Sequence, residues 1–599
     1  MKSSILKRIT AAIISVIMVF ALFACGDGTS ESSTTTTPAT TTTPTTGTTD
    51  PSFEPTVDPE NGAREVICVD KDLYVAADEV LTVPVAYYEN CTEILLIELG
   101  TAVEKLINEF INESSEDVRI TFEETETTII LTRETGEYCE VDFVKDTIFF
   151  SDFDSFNKRE YSENPHDVLA YPYVDEEGEN VYFQREASIY TPGYSLLIDL
   201  AERDIPLDIY DGKKYIPFQT FNDLFVCPYG VNVAYNGTSL FLILGTALPE
   251  GLEELYYHDE PSERSDALAE YSYKELCLLL DMYYGLQEEH GFSYSFDGYL
   301  ETIGLKEKLL SNDTLDVFNA LGTLAFTYIA DSHSAPLAAS PYLGEKMPIL
   351  GIDYELAHFL NMTVELGRDL SNMRKQIMGE VDFYQKVGNT AYITFDSFSL
   401  GYRADYSEET LQISDTISII MYAHEQITND PEIENVVVDL SCNGGGAVDA
   451  CVYLVAWMLG YCDLSVYNSI TESSATTTYK IDVNMDGVFD SKDSIADKNL
   501  YCMTSPVSFS CGNYAPAILK ASGRVNIVGK TSGGGACMVL NATLADGTIF
   551  CVSSSSQMSY VVNGSYYHAD TGVEPDVVLT KYESFYDRVA LTEYLNSLK

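Results

Sequence analysis

Residues 500–521 read LYCMTSPVSFSCGNYAPAILKA. Leu500–Thr504 is a short apolar run of strand type, and Tyr514–Ala521 has helical spacing, with a Ser- and Gly-containing turn between them. A strand that turns sharply into a helix presents the turn side chain beside helix amides, which favour developing negative charge. Ser510 lies at that turn and is the expected nucleophile; Ser508 and Ser505 are its local rivals. Cys511 follows it, and its backbone N–H is an expected oxyanion donor.

Outward from this segment the pattern repeats. Ala391–Phe395, Val436–Leu440, Val525–Val528 and Thr548–Val552 read as strands, and Leu411–Ile427 and Val448–Leu459 read as helices. Such alternation predicts an α/β core over residues 387–599. A Gly-rich turn, Asn443-Gly444-Gly445-Gly446, follows the strand at 436–440. Glycines there let backbone amides approach a substrate carbonyl, so Gly444 or Gly445 is the second expected oxyanion donor.

Five segments in order carry a resemblance. They are Ala330-Asp331-Ser332-His333-Ser334; Asn389–Phe398; Val438-Asp439-Leu440-Ser441-Cys442-Asn443-Gly444-Gly445-Gly446; Ser508–Asn513 with Gly523-Arg524 and Val528–Gly535; and Gly572-Val573-Glu574-Pro575-Asp576. Together, over roughly residues 264–599, they resemble the tail-specific (C-terminal processing) protease superfamily, the S41 serine peptidases. The resemblance implies a mixed sheet with helices of the ClpP/crotonase type and hydrolysis of peptide bonds through an acyl-enzyme. The spacing of Ser510 from Gly523-Arg524 matches the nucleophile position of these proteins. Many of them use a Lys base after the nucleophile; the matching position here is Gly535, and Lys530 lies too far upstream. The chain therefore resembles the tricorn-like branch, which uses a His from the preceding helical region. His333 fits that place, with Ser332 as a residue that could orient the ring and Asp570 near the position where that branch places an acid. A neutral imidazole accepts the serine proton and returns it to the leaving amine. The interval between His333 and Ala391 is too short for a complete PDZ domain, which many relatives use to read substrate C-termini.

Within the core, Asp482 to Asp493 reads DVNMDGVFDSKD and matches a calcium loop, here an insertion near 480–495. Asp482, Asn484, Asp486, the Val488 carbonyl, Asp490 and Asp493 are the expected oxygen ligands of a structural Ca²⁺, and Gly487 permits the bend.

Before the core, residues 264–386 are expected to form a helical segment that carries His333. Residues 64–250 are expected to form a β-rich accessory domain with one helix at Thr101–Asn112. Tyr215-Ile216-Pro217-Phe218 through Phe241 weakly resembles the small domain at the N-terminus of copper amine oxidases, without a His cluster for copper. Residues 1–24 combine Lys2, Lys7 and Arg8 with an apolar run and read as a signal peptide. Leu22-Phe23-Ala24-Cys25 resembles a lipobox, with Cys25 as the lipidated residue, and residues 25–63 read as a Thr/Pro-rich tether. The expectation is an extracytoplasmic lipoprotein anchored on the bacterial cell surface.

The 599 residues carry 93 acidic against 34 basic side chains, a net charge of -59 that disfavours nucleic acid as a partner. The expected partners are protein or peptide substrates and the membrane. The 13 cysteines show no pairing pattern. The alternative reading is a catalytically inactive surface protein that binds peptides or glycans; the 42 Tyr residues fit glycan contact or core packing equally well.

Overall fold

The computed structural model describes residues 65–112, 119–159, 164–169, 182–245, 248, 251–292, 295–344, 358–400 and 415–598. The expected signal peptide, Cys25 and the tether lie outside the described residues.

The chain is mixed α/β. Its central sheet has six strands in the order Tyr384–Val387, Thr390–Thr394, Asn435–Asp439, Asn499–Thr504, Val525–Gly529, Val577–Val578. The first pair is antiparallel and the rest are parallel. Parallel strands are covered on both faces, so they read as continuous apolar runs, and every residue of Thr390–Thr394 and Asn435–Asp439 is buried. The two-residue period still sorts their side chains. Ala391, Ile393, Val436, Val438, Leu500, Cys502 and Ile527 join a core with the helices Thr416–Thr428, Val448–Leu459 and Cys511–Ala521. Tyr392, Val437, Tyr501, Met503 and Val528 join a separate core with Phe585, Tyr586, Leu591 and Leu595 from the C-terminal helices. The Val448–Leu459 helix is buried along nearly its whole length, which explains its all-round apolar sequence.

A second, seven-stranded sheet is built around the long strand Ile549–Val562. Ala335–Ala338 pairs with it antiparallel, which fixes the position of His333 just upstream. Cys537–Thr543 and Ser565–His568 pair with the same strand.

The N-terminal region contains the strands Ile120–Glu124, Thr128–Arg133, Thr147–Phe150 and Leu240–Leu244. They belong to a seven-stranded and a five-stranded sheet. The segment read as one helix at 101–112 is a single α-turn, Leu99–Ala102, that widens into a π-helix, Val103–Ile111. The region between 64 and 250 is not set apart from the core. Phe183–Thr191 pairs antiparallel with Ser474–Ile481 of the second sheet. One hydrophobic cluster joins Leu73, Ile97 and Phe221 to Leu276, Leu280, Phe550 and Val552. The helical segment is tied in by a buried ion pair: Arg264 Nη1 donates to Asp546 Oδ2 at 2.7 Å, with both side chains inaccessible. Tyr256, Tyr284, Tyr392, Tyr453, Tyr514 and Tyr586 are among the largest fully buried side chains, so much of the tyrosine content builds the core. No helix among the described residues is long and apolar enough to cross a membrane.

Candidate active site

Ser510 sits between the Asn499–Thr504 strand and the Cys511–Ala521 helix with φ +54° and ψ -123°. A non-glycine residue held there costs on the order of 1–3 kcal/mol, which the surrounding structure must impose. Three contacts do so. Ser510 N donates to Gly534 O at 3.0 Å, and the Asn513 and Tyr514 amides both return to Ser510 O at 2.8 Å. Its rivals are engaged elsewhere. Ser508 Oγ donates to Leu440 O at 2.7 Å and Ser505 Oγ to Ser441 O at 2.5 Å, both completely buried. Ser510 is the partly exposed hydroxyl of the three.

The Gly-rich loop packs on this turn. A Cβ on Gly445 would stand 2.6 Å from Ser510 Cβ and 3.2 Å from Cys511 N, and Gly445 has φ +106°. No such crowding surrounds Gly444. The loop is organised by Asn443, a buried residue whose Oδ1 accepts from Gly445 N at 2.9 Å and whose Nδ2 donates to Phe395 O at 3.1 Å. Gly444 N donates to Asp396 O at 3.2 Å. The Asp396 carboxylate is in turn held by Arg374 Nη1 at 2.7 Å. Cys511 N is a first-turn amide, one of the four that a helix leaves without an intrahelical acceptor.

His333 stands beside the turn. Its ring centroid is 4.7 Å from that of Phe509, the residue before Ser510. The ring is buried, and Nδ1 has no hydrogen-bond partner. Burial holds its pKa below the usual histidine value, against the opposing charges of Asp331 and Asp570, so the ring is neutral at neutral pH. Ser332 makes no hydrogen bond to the ring among those described. The residue that fixes the turn is Asp331: Oδ1 accepts from His333 N at 3.0 Å and Oδ2 from Ser334 Oγ at 2.6 Å. An Asp two residues before the backbone amide that it binds is an Asx-turn signal that was present in Asp331-Ser332-His333.

Asp570 closes the arrangement. Its Oδ1 accepts from Ala536 N at 3.0 Å, and its backbone carbonyl lies where a side chain on Gly534 would go. The motif around 572–576 is locked to the Cys511–Ala521 helix through Ser532: Oγ donates to Asn513 Oδ1 at 2.6 Å and accepts from Val573 N at 2.7 Å. The five sequence segments are thus linked in one region: the first packs on Phe509, the second holds the Gly-rich loop that lies against Ser510, and the fifth bonds to Ser532. The Lys530 ammonium lies 3.7 Å from the centroid of the Tyr582 ring.

The calcium-type loop forms a compact turn. Asp482 Oδ2 accepts from Gly487 N at 2.7 Å, Asn484 Oδ1 from Asp486 N at 2.9 Å and Asp486 Oδ1 from Val488 N at 2.9 Å. Asp490 Oδ1 accepts from Lys492 N at 2.7 Å and Asp493 Oδ1 from Val483 N at 3.0 Å. Asp482 and Asp493 are both buried. Burial raises the Asp482 pKa, and the Asp493 charge adds to this, which is the situation a bound cation relieves. Among the described residues, no group of three or more His, Cys, Asp or Glu side chains is arranged to hold a metal ion.

Residues 389–579, about a third of the chain, match the model of peptidase family S41. The matched residues include the parallel strands of the central sheet, Ser510, the Gly-rich loop and Asp570. No curated protein matches the chain. Solved structures are similar at a low level. A candidate peptidase from Parabacteroides merdae is 16% identical, with 56% of this chain and 96% of that chain covered and a TM-score of 0.38. A lipoprotein from Streptococcus agalactiae is 14% identical, covering 57% and 99% at a TM-score of 0.33. Mature CPAF is 10% identical, covering 55% and 97% at a TM-score of 0.37.

Proposed function

We propose that this protein is a serine endopeptidase with Ser510 as nucleophile and His333 as base. The observation that carries the reading is Ser510 itself: the accessible hydroxyl on a strained strand-to-helix turn, with a buried neutral imidazole packed on the adjacent Phe509. His333 accepts the Ser510 proton as Oγ bonds to the scissile carbonyl carbon. The oxyanion forms beside Cys511 N and the Gly444-Gly445 segment, where the Gly445 amide exchanges the Asn443 carboxamide for the substrate oxygen. The C–N bond then breaks, the amine takes the proton from His333, and water hydrolyses the acyl-enzyme by the same proton path. Asp570 supplies the negative charge that stabilises the imidazolium, and Asp331 holds the turn that carries the ring.

Its substrates are proteins or peptides outside the cytoplasm, and Cys25 is its lipidated anchor. The 482–493 loop is a Ca²⁺ clip in this reading, with Asp482, Asn484, Asp486, the Val488 carbonyl, Asp490 and Asp493 as ligands that stiffen the passage between the Gly-rich loop and Ser510.

Labelling with a fluorophosphonate tests the catalytic assignment. Ser510 Oγ bonds to phosphorus, fluoride leaves, and His333 takes the hydroxyl proton. The full-length parent and Lys530→Ala should label; Ser510→Ala and His333→Ala should each lose several orders of magnitude, with little further loss in the double variant, because the two act as one unit. Full labelling of His333→Ala removes His333 as the base. A folded parent that resists the probe and cleaves no unfolded protein favours the peptide- or glycan-binding alternative.

A further inference from the structure

Resting on that reading of Ser510 and His333, we propose that His568 is a positioning residue for Asp570. As a neutral ring it joins the Asp570 backbone to Glu289, and on protonation it releases that backbone, so that activity depends on His568 as well as on His333.

The geometry assigns the tautomer. His568 Nδ1 accepts from Asp570 N at 3.4 Å, so Nδ1 carries no proton. Nε2 then holds the ring proton and donates it to Glu289 Oε1 at 3.0 Å. Glu289 belongs to the turn after the Asp266–Tyr283 helix, in the same segment of chain as His333. His568 ends the Ser565–His568 strand, two residues before Asp570. One imidazole therefore links the segment that supplies the base to the turn that supplies its acid. Asp570 is itself one contact from the nucleophile, through Gly534, whose carbonyl accepts from Ser510 N.

Protonation changes one end of this link and not the other. The Glu289 contact becomes an ion pair, but Nδ1–H now faces the Asp570 N–H, and two donors cannot bond. The charged groups around His568 are Glu289, Asp570 and Glu288, all acidic; His290 lies beside Glu289. The hydrogen bond to Glu289, with its charge, raises the His568 pKa above the usual histidine value despite burial. His333 moves the other way, lowered by burial. On an acidifying titration His568 protonates first, while His333 is still a competent base. The acid limb of activity thus belongs to His568.

The test is the pH dependence of fluorophosphonate labelling in the full-length chain. The parent limb should lie above the ordinary histidine value of ~6.5. His568→Gln offers an amide oxygen and an amide N–H in place of the two ring nitrogens and does not titrate. It should keep the labelling plateau and move the limb below ~6.5, to the His333 value. Glu289→Gln keeps an acceptor for Nε2–H but removes the charge, and should bring the limb down toward ~6.5. A parent limb already below ~6.5, unmoved in both variants that melt like the parent, overturns the role of His568 and leaves the catalytic pair standing. A folded parent unlabelled at every pH takes down the catalytic reading and this inference together.

Discussion

Phe509 occupies the space that a side chain on Gly535 would need. A Cβ there would stand 2.5 Å from two carbons of the Phe509 ring, which also packs on the His333 imidazole. Gly535, the position that the resemblance aligns with a lysine, is thus closed by the residue that packs on His333. Gly535 also has φ +80°, a backbone conformation that side chains rarely adopt.

Gly535→Lys should therefore fail to install a second base. It should displace Phe509 and with it His333, lowering the fluorophosphonate labelling rate at least tenfold and lowering the melting temperature. A rate equal to or above the parent's, with activity surviving His333→Ala in that background, contradicts this steric account.

The Arg264–Asp546 pair predicts how the helical segment and the core are coupled. Both side chains are inaccessible, and Arg264 also donates to Ser311 O at 2.9 Å. Removing one partner of a buried pair strands the other charge and costs about 3–5 kcal/mol. Asp546→Ala should lower unfolding free energy by that order in a denaturant titration. A loss within ~0.5 kcal/mol, the range of a surface change, would show that the pair is not needed to hold the segment.

Metal binding is checked in the 482–493 loop. If Ca²⁺ binds only the folded chain, chelator should lower the melting temperature and excess Ca²⁺ should restore it. Asp482→Ala should abolish that response. Calorimetry on metal-stripped protein that finds no Ca²⁺ uptake ends the calcium assignment and leaves the loop as a turn held by its own amides.

Anchoring is checked by fractionation. Cys25→Ala should move the protein from the membrane to the soluble extracytoplasmic fraction of a bacterial host, because one acyl chain holds a protein only marginally and stable anchoring needs the several acyl groups that Cys25 would carry. Identical fractionation of variant and parent argues against lipidation at Cys25.

The sequence by itself determined the elements and their order. Short apolar runs that become buried parallel strands, and a Ser–Gly turn between a strand and a helix, are local patterns. They placed the central-sheet strands from Thr390–Thr394 to Val525–Gly529 and Ser510 to within a residue or two. The preference for Ser510 over Ser508 and Ser505 rested on spacing alone; the structure adds a physical difference between them. Ser508 and Ser505 donate to the distant carbonyls of Leu440 and Ser441. What only the tertiary structure decided was every relation between segments far apart in the chain. Phe509 against His333, Asn443 governing the Gly445 amide, Asp331 rather than Ser332 fixing the histidine turn, and Phe183–Thr191 completing the second sheet each depend on packing that no periodicity encodes. A strand's alternation says that one face is buried; it does not say which partner, hundreds of residues away, buries it.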